Sequence, residues 1–245
     1  MRMLARMSWL ELKLFLREPL TALFALVLPL LVLFVMGGVF GNEAEVDVYR
    51  GVGAMNYYVP AYVALVTASV GLISVPAHMA GNREKGVLKR YHASSMPAGQ
   101  VVGSQVVVTF VISAISALVL VAVAMPLHNV VNPDSLLLVL AGFGLGALAF
   151  AAFGVLLGAL VPTARAAQAL GVMLWFLMLM VGGAGPPPEV LSGGMATVGD
   201  LTPLRHAVRV MQDGWLSLDA GLSWLIVAVI FVASAVLAMR FFRWE

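Results

Sequence analysis

An all-α integral membrane protein with six transmembrane helices is the fold this 245-residue sequence predicts. Three observations carry that reading. The hydrophobic fraction is 62% and the mean hydropathy +1.00, well above the roughly 45–50% of a soluble domain. Charge is scarce, at 11% of residues, and it is confined to the gaps between six long apolar runs. The basic residues also segregate to alternate gaps, as they do in a chain that crosses a bilayer repeatedly.

The runs free of Asp, Glu, Lys and Arg are 19–42, 51–82, 91–133, 135–164, 166–188 and 220–239. Each holds an apolar stretch of about 18 residues or more, enough to cross a hydrocarbon layer of roughly 30 Å as a helix. The predicted spans are about 20–40, 56–80, 99–125, 135–160, 166–184 and 220–240. Pro126, His128, Asn129, Asn132 and Pro133 mark the end of the third long run as a loop, which keeps it to one span. With six spans both termini share a side. That side receives Arg2, Arg6, Lys13, Arg17, Arg83, Lys85, Lys89, Arg90, Arg165, Arg240 and Arg243, which is 11 of the 14 basic residues. It is therefore expected to be cytoplasmic, in a multi-pass protein of the cell membrane. Only Arg50, Arg205 and Arg209 face out. No cleavable leader is expected, because Met1–Pro19 is charged and the apolar run behind it is too long.

Three segments do not span. In 1–18, Arg2, Arg6, Lys13 and Arg17 fall within an arc of about 60° on a helical wheel, beside Trp9, Leu12 and Leu16. This predicts an amphipathic helix lying in the cytoplasmic interface, as opposed to a solvated terminus. Pro19 breaks it from the first span. In 81–97, Val87, Leu88 and Tyr91 share one helical face, and Lys85 and Lys89 form an i, i+4 pair on another. Pro97 ends this short cytoplasmic helix. The simpler alternative is a topology signal with no further role. In the external segment 186–219, Gly182–Pro188 interrupts span five. Thr202-Pro203 then reads as an N-cap and first helical residue. Leu204, Val208, Met211 and Trp215 form an apolar stripe, and Arg209 and Asp213 are spaced to pair. This predicts a re-entrant or interfacial helix, against a plain external loop helix.

Several chemistries are excluded or disfavoured. No G-x-x-x-x-G-K-S/T phosphate loop occurs, so the chain is not expected to hydrolyse ATP. The four histidines are dispersed, cysteine is absent, and no metal site or catalytic constellation is expected. No charged residue falls in the middle of a span, which disfavours an ion-coupled carrier. Gly99/Gly103, Gly142/Gly146 and Gly154/Gly158 form small-residue faces for ordinary helix packing or a dimer seam. Asn56, Tyr57, Tyr58 and Tyr62 open span two from the outer side as an interface belt or, alternatively, a substrate lining. Trp175 and Phe176 of span five are further candidates for that lining.

Two motifs resemble a known family. Glu84-Lys85-Gly86-Val87-Leu88-Lys89-Arg90, preceded by Arg83 and followed by Ala93-Ser94-Ser95-Met96-Pro97, is similar to the E-x-G-x-L-x-R loop of type-2 ATP-binding-cassette (ABC-2) exporter permeases. Pro203-Leu204-Arg205-His206, with Gln212 six residues further on, resembles their C-terminal signature. Within that family the sequence looks like the daunorubicin-resistance and nodulation-factor exporter branch. The resemblance covers essentially the whole chain as one transmembrane domain, 1–245. It departs at Ser95-Met96-Pro97, where a Pro directly after the small residue is expected, and in the Gly-rich stretch before Pro203.

The resemblance implies a half-transporter. Two permease chains, identical or related, would pair among membrane lipids, each docking one of two cytoplasmic ABC ATPase subunits. ATP and Mg would be bound in the ATPase, with no cofactor on this chain and no nucleic-acid partner. Residues 81–97 would be the coupling helix, with Arg83, Glu84, Lys85, Gly86, Val87, Leu88, Lys89, Arg90 and Tyr91 at the ATPase. Val87, Leu88 and Tyr91 would anchor in its groove. Pro203, Leu204, His206, Arg209 and Gln212 would form part of an outer gate. The expected cargo is an amphipathic small molecule: a drug, natural product or lipid. A polysaccharide or glycolipid exporter of the same family, and a non-transporting membrane sensor or scaffold, are the alternatives.

Overall fold

Span two runs through the middle of the chain, and the other long helices are arranged around it. The computed structural model describes residues 23–242 together with Trp9, Leu12, Lys13 and Pro19. The expected interfacial helix over 1–18 otherwise lies outside the described residues. Lys13 Nζ sits 5.1 Å from the Trp9 ring centroid.

A π-helical turn, Leu23–Val27, leads into α1 (Leu28–Phe40). A two-residue antiparallel ladder, β1 (Ala44–Glu45) with β2 (Val52–Gly53), then encloses the single turn α2 (Val46–Tyr49). The second span is α3 (Ala54–Ser69), a π-helical turn Val70–Ser74, and α4 (Val75–Glu84). After α5 (Val87–Ala93) come the long helices α6 (Ala98–His128), α7 (Leu136–Leu160) and α8 (Ala164–Val181). A short 3₁₀ turn at Pro188–Val190, α9 (Gly193–Leu201) and α10 (Pro203–Leu216) precede the last helix, α11 (Ser223–Phe241).

Five of these are long and apolar enough to cross a membrane: Ala54–Glu84, α6, α7, α8 and α11. The expected first span is represented among the described residues by a shorter apolar helix, Leu23–Val39. Every residue of the most apolar window of Ala54–Glu84 is buried inside the chain, whereas only 17% of the window in α11 is. The first half of span two, α3, packs on α1, α6 and α10; its second half packs on α7 and α8. The α11 helix lies against α7 and turns Leu225, Val229, Val232 and Val236 outward, as a helix facing hydrocarbon does.

Glycine makes the central crossing possible. A Cβ on Gly154 of α7 would lie 1.9 Å from the Gly71 carbonyl oxygen, and one on Gly171 of α8 would lie 2.0 Å from that of Leu72. The π-helical turn of span two is thus gripped from two sides by bare backbone. Gly142 meets Val210, and Gly158 meets Met79 and Pro76. These small-residue faces of α7 are used within the chain, which favours the packing reading over the dimer-seam reading for them. Gly99 meets nothing within 4 Å.

Candidate functional site

The two ends of the bundle carry the charged residues, and they are built differently. At one end span two terminates in Arg83 and Glu84, so these residues belong to the span helix and not to a separate loop helix. The chain then turns at Gly86, whose φ of +68° suits glycine and strains other residues. The helix expected over 81–97 is therefore shorter, Val87–Ala93. Leu88 is 1% exposed and joins a cluster that includes Met79, Met96 and Val101, with Tyr91 packed at its edge. The Leu88 side chain, expected to anchor in a partner's groove, is covered within this chain. Lys85, Lys89, Arg90 and His92 form the exposed surface, with Val87 half-buried. Arg90 Nη2 reaches back to the Lys85 carbonyl at 3.4 Å.

Arg83 and Glu84 turn sideways. The Arg83 guanidinium donates to the Ala159 carbonyl at 3.0 Å and also to the Val161 carbonyl, at the C-terminus of α7. Glu84 Oε2 accepts from the Ala164 amide at 3.1 Å, at the first residue of α8. A cleft of about 660 Å³ lies beside them, lined by Lys85, Gly86, Lys89, Leu160 and Pro162 among others.

At the opposite end, α10 is the expected stripe helix, and the stripe faces inward: Leu204, Val208, Met211 and Trp215 are all at most 3% exposed. Pro203 occupies the first helical position as predicted, but Thr202 does not cap it. Its hydroxyl donates to the Gly199 carbonyl instead. Arg209 does not pair with Asp213. It faces Asp200 at 3.8 Å, beside a closer Arg205–Asp200 contact at 2.9 Å. Asp213 accepts from Trp224 Nε1 at 2.8 Å. The Asp200 carboxylate sits on α9, a helix the glycine-rich sequence 193–199 conceals.

His206 bridges three elements. Its Nε2 lies 2.8 Å from the Asp200 carbonyl and its Nδ1 3.2 Å from the Ser223 hydroxyl. A carbonyl only accepts, so Nε2 carries the proton and Nδ1 accepts from Ser223. Burial lowers the His206 pKa from its ordinary value, and the Asp200 carbonyl partly opposes that shift. Gln212 donates to the Tyr57 carbonyl at 3.3 Å, and Trp215 Nε1 to the Val131 carbonyl at 3.0 Å. Through these bonds α10 is fixed to span two and to the loop after α6.

The aromatic candidates divide. Tyr57, Tyr58 and Tyr62 are each at most 2% exposed; Tyr49 meets Tyr57 and Tyr58 at tilted or edge-on angles, and Tyr58 lies nearly parallel to Tyr62 at 5.5 Å. Tyr58 donates to the Gly185 carbonyl at 3.0 Å. Trp175 is 1% exposed and donates to Ser69 Oγ at 2.8 Å. Asn56 accepts from the Val131 amide. The three tyrosines and Trp175 lie in the interior of the chain, and Asn56 is half-buried. Phe176 alone among the candidates looks outward, onto an apolar groove of about 590 Å³ shared with Leu177, Met180, Met195 and Val198.

Asn42 has no counterpart in the sequence reading. Its Oδ1 accepts from the Met55 and Asn56 amides at 3.1 and 3.2 Å, capping the start of span two. Its Nδ2 donates to the His128 carbonyl at the end of α6, at 3.1 Å. A lone Asn after a Gly reads as a turn; only its distance to two helix ends reveals the cap.

The architecture is thus a bundle of long apolar helices around one buried span, with a basic turn at one end and a tied-down helix at the other. A model of the ABC-2 type transporter family matches residues 3–216 of the chain. No curated protein matches it. The match takes in both motifs and all but the last span, so this multi-pass membrane protein belongs to the ABC-2 type transporter family, as a permease of an ABC transporter.

Proposed function

We propose that this chain is the permease subunit of an ATP-driven exporter that moves an amphipathic small molecule outward across the cell membrane. The end bearing Arg83 and α5 faces the cytoplasm in this reading, as do both termini, in keeping with the bias of basic residues. ABC-2 permeases usually work with ATPase partners. Each of two paired permease chains docks one cytoplasmic ATPase subunit through this turn, and ATP and Mg are bound in the ATPase. A second permease chain, identical or related, completes the channel. The observation that carries the docking reading is α5: its apolar side is anchored inside the chain by Leu88, while Lys85, Lys89, Arg90 and His92 stand exposed. A helix held rigidly from within and charged without is suited to register on an acidic partner surface.

The outer-gate reading rests on α10, where Pro203, Leu204, His206, Arg209 and Gln212 connect α9, α11 and span two. The apolar groove at Phe176 favours a lipophilic cargo, since Met180 and Met195 give it an adaptable lining; its neighbours include no formal charge. Membership of the daunorubicin-resistance and nodulation-factor branch is part of the same proposal. The test is co-purification of the chain with a candidate ABC ATPase, followed by reconstitution and a screen of amphipathic compounds for stimulated hydrolysis. The combined reversal Lys89→Glu, Arg90→Glu is expected to abolish ATPase retention. A wild-type chain that retains no ATPase would sink the reading, and a stable chain with no stimulated transport would favour a sensor.

A further inference from the structure

Arg83 and Glu84 open the family-like motif, and the simplest extension of the docking reading would put them against the ATPase. Their side chains are already committed elsewhere. The last carbonyls of a helix lack internal partners and carry partial negative charge; the first amides lack acceptors and carry partial positive charge. Arg83 offers a cation with two donors to the carbonyl end of α7, at Ala159 and Val161. Glu84, its immediate neighbour, offers an anion to the amide end of α8, at Ala164. Each charge has the sign its helix end calls for. Thr163 caps the third residue of α8 itself, accepting from the Ala166 amide at 3.2 Å, which leaves the Ala164 amide for Glu84. Two adjacent residues thus fasten the end of span two to both sides of the turn 161–163, more than 75 positions away in sequence.

We propose that Arg83 and Glu84 are positioning residues that staple the coupling segment to the turn between α7 and α8, so that a push on α5 moves spans two, four and five together. The proposal rests on the docking reading above and narrows it: Lys85, Lys89 and Arg90 meet the ATPase, and Arg83 and Glu84 pass the motion on. Geometry supports a rigid connection here. A Cβ on Gly158 would run into Pro76 and Met79 only a turn or two from the staple, and one on Gly81 would lie 3.4 Å from the Ala164 Cβ. The walls of the 660 Å³ cleft are the coupling segment on one side and Ala159–Pro162 on the other. The staple sets the width of that cleft. A lost staple lets α5 swing against the turn, and ATPase movement is absorbed in the swing.

The chain has no cysteine, so paired spin labels can be placed without a background. Labels at K85C and R165C, both exposed positions, report across the cleft in the purified full-length chain. The wild-type background is expected to give one narrow distance distribution, and Arg83→Met with Glu84→Gln a broad one. Arg83→Lys, which keeps the charge but loses the two-donor fork, should fall between. In the unlabelled complex the double variant should still retain the ATPase, while cargo-stimulated hydrolysis falls at least about tenfold, the scale of an ordinary coupling free energy between sites. Identical distance distributions would overturn the staple. So would an ATPase lost outright from the double variant, because that makes the pair a docking contact. A wild-type chain that holds no ATPase refutes the docking reading, while the label distances still decide the staple.

Discussion

Replacing Gly154 by alanine tests the central crossing directly. The added Cβ would sit 1.9 Å from the Gly71 carbonyl oxygen and 3.0 Å from its carbon, where real contacts below 3.0 Å essentially never occur. The obstacle is backbone, so no side-chain rotation relieves it. The two helices must part by about 1 Å, loosening the packing along a wholly buried span. Overpacking of this kind costs about 1–3 kcal/mol and occasionally more, while alanine in place of glycine returns up to about 1 kcal/mol of helix propensity. The upper range applies, and the net loss is about 2 kcal/mol. For a chain of this size that lowers the midpoint of thermal unfolding by about 4–8 °C. The internal control is Gly144→Ala on the same helix, where the new methyl meets nothing within 4 Å. It should raise the midpoint by up to about 4 °C. Both variants are measured in one detergent by a tryptophan-fluorescence melt. If Gly154→Ala and Gly144→Ala shift the midpoint in the same direction, the close crossing of span two with α7 is wrong.

Asn42→Ala strands two amides at the start of span two and the His128 carbonyl; a melt should show a loss of about 1–3 kcal/mol, and Asn42→Asp, which keeps the caps, should lose less. Leu88→Ala removes a 1%-exposed side chain and should cost about 2–5 kcal/mol, whereas Lys89→Ala on the exposed face should leave the melt unchanged within about 0.5 kcal/mol. His206 titrates below its ordinary value in the folded chain because it is buried. The unfolded chain therefore binds the proton first, and the stability due to His206 is full above about pH 6.5 and declines as pH falls through that value toward the folded pKa. Hydrogen exchange of α9 and α10 should accelerate on acidification over that window, and His206→Asn should flatten the response.

The spans were legible because one physical rule dominates them: in hydrocarbon a backbone must be helical, and a charge-free run of sufficient length has little else to be. The helices α6, α7, α8 and α11 begin and end within a few residues of the predicted limits for that reason. Local spacing failed wherever a distant group offered a better partner. Arg209 and Asp213 were four apart on one helix, yet Arg209 faces Asp200 and Asp213 takes the Trp224 indole. Spacing puts Arg83 and Glu84 in the coupling helix and gives Asn42 no role; each has a partner at a helix end far along the chain. The apolar face of α5 was visible from Val87, Leu88 and Tyr91, but a periodic pattern does not say whether the surface that covers Leu88 belongs to the same chain.

Span two has a consequence for the birth of the protein. It leaves the ribosome before every helix that will enclose its second half, since α7 and α8 lie more than 50 residues downstream of α4. Its mean hydropathy of 1.8 is well below the 2.9 of α6, and its tyrosines gain nothing from lipid. In a membrane it is therefore a provisional helix, waiting without its neighbours. Chaperoning at the site of insertion would be needed until the fourth and fifth spans arrive, and truncations that end before Leu160 should be degraded even though span two itself is intact.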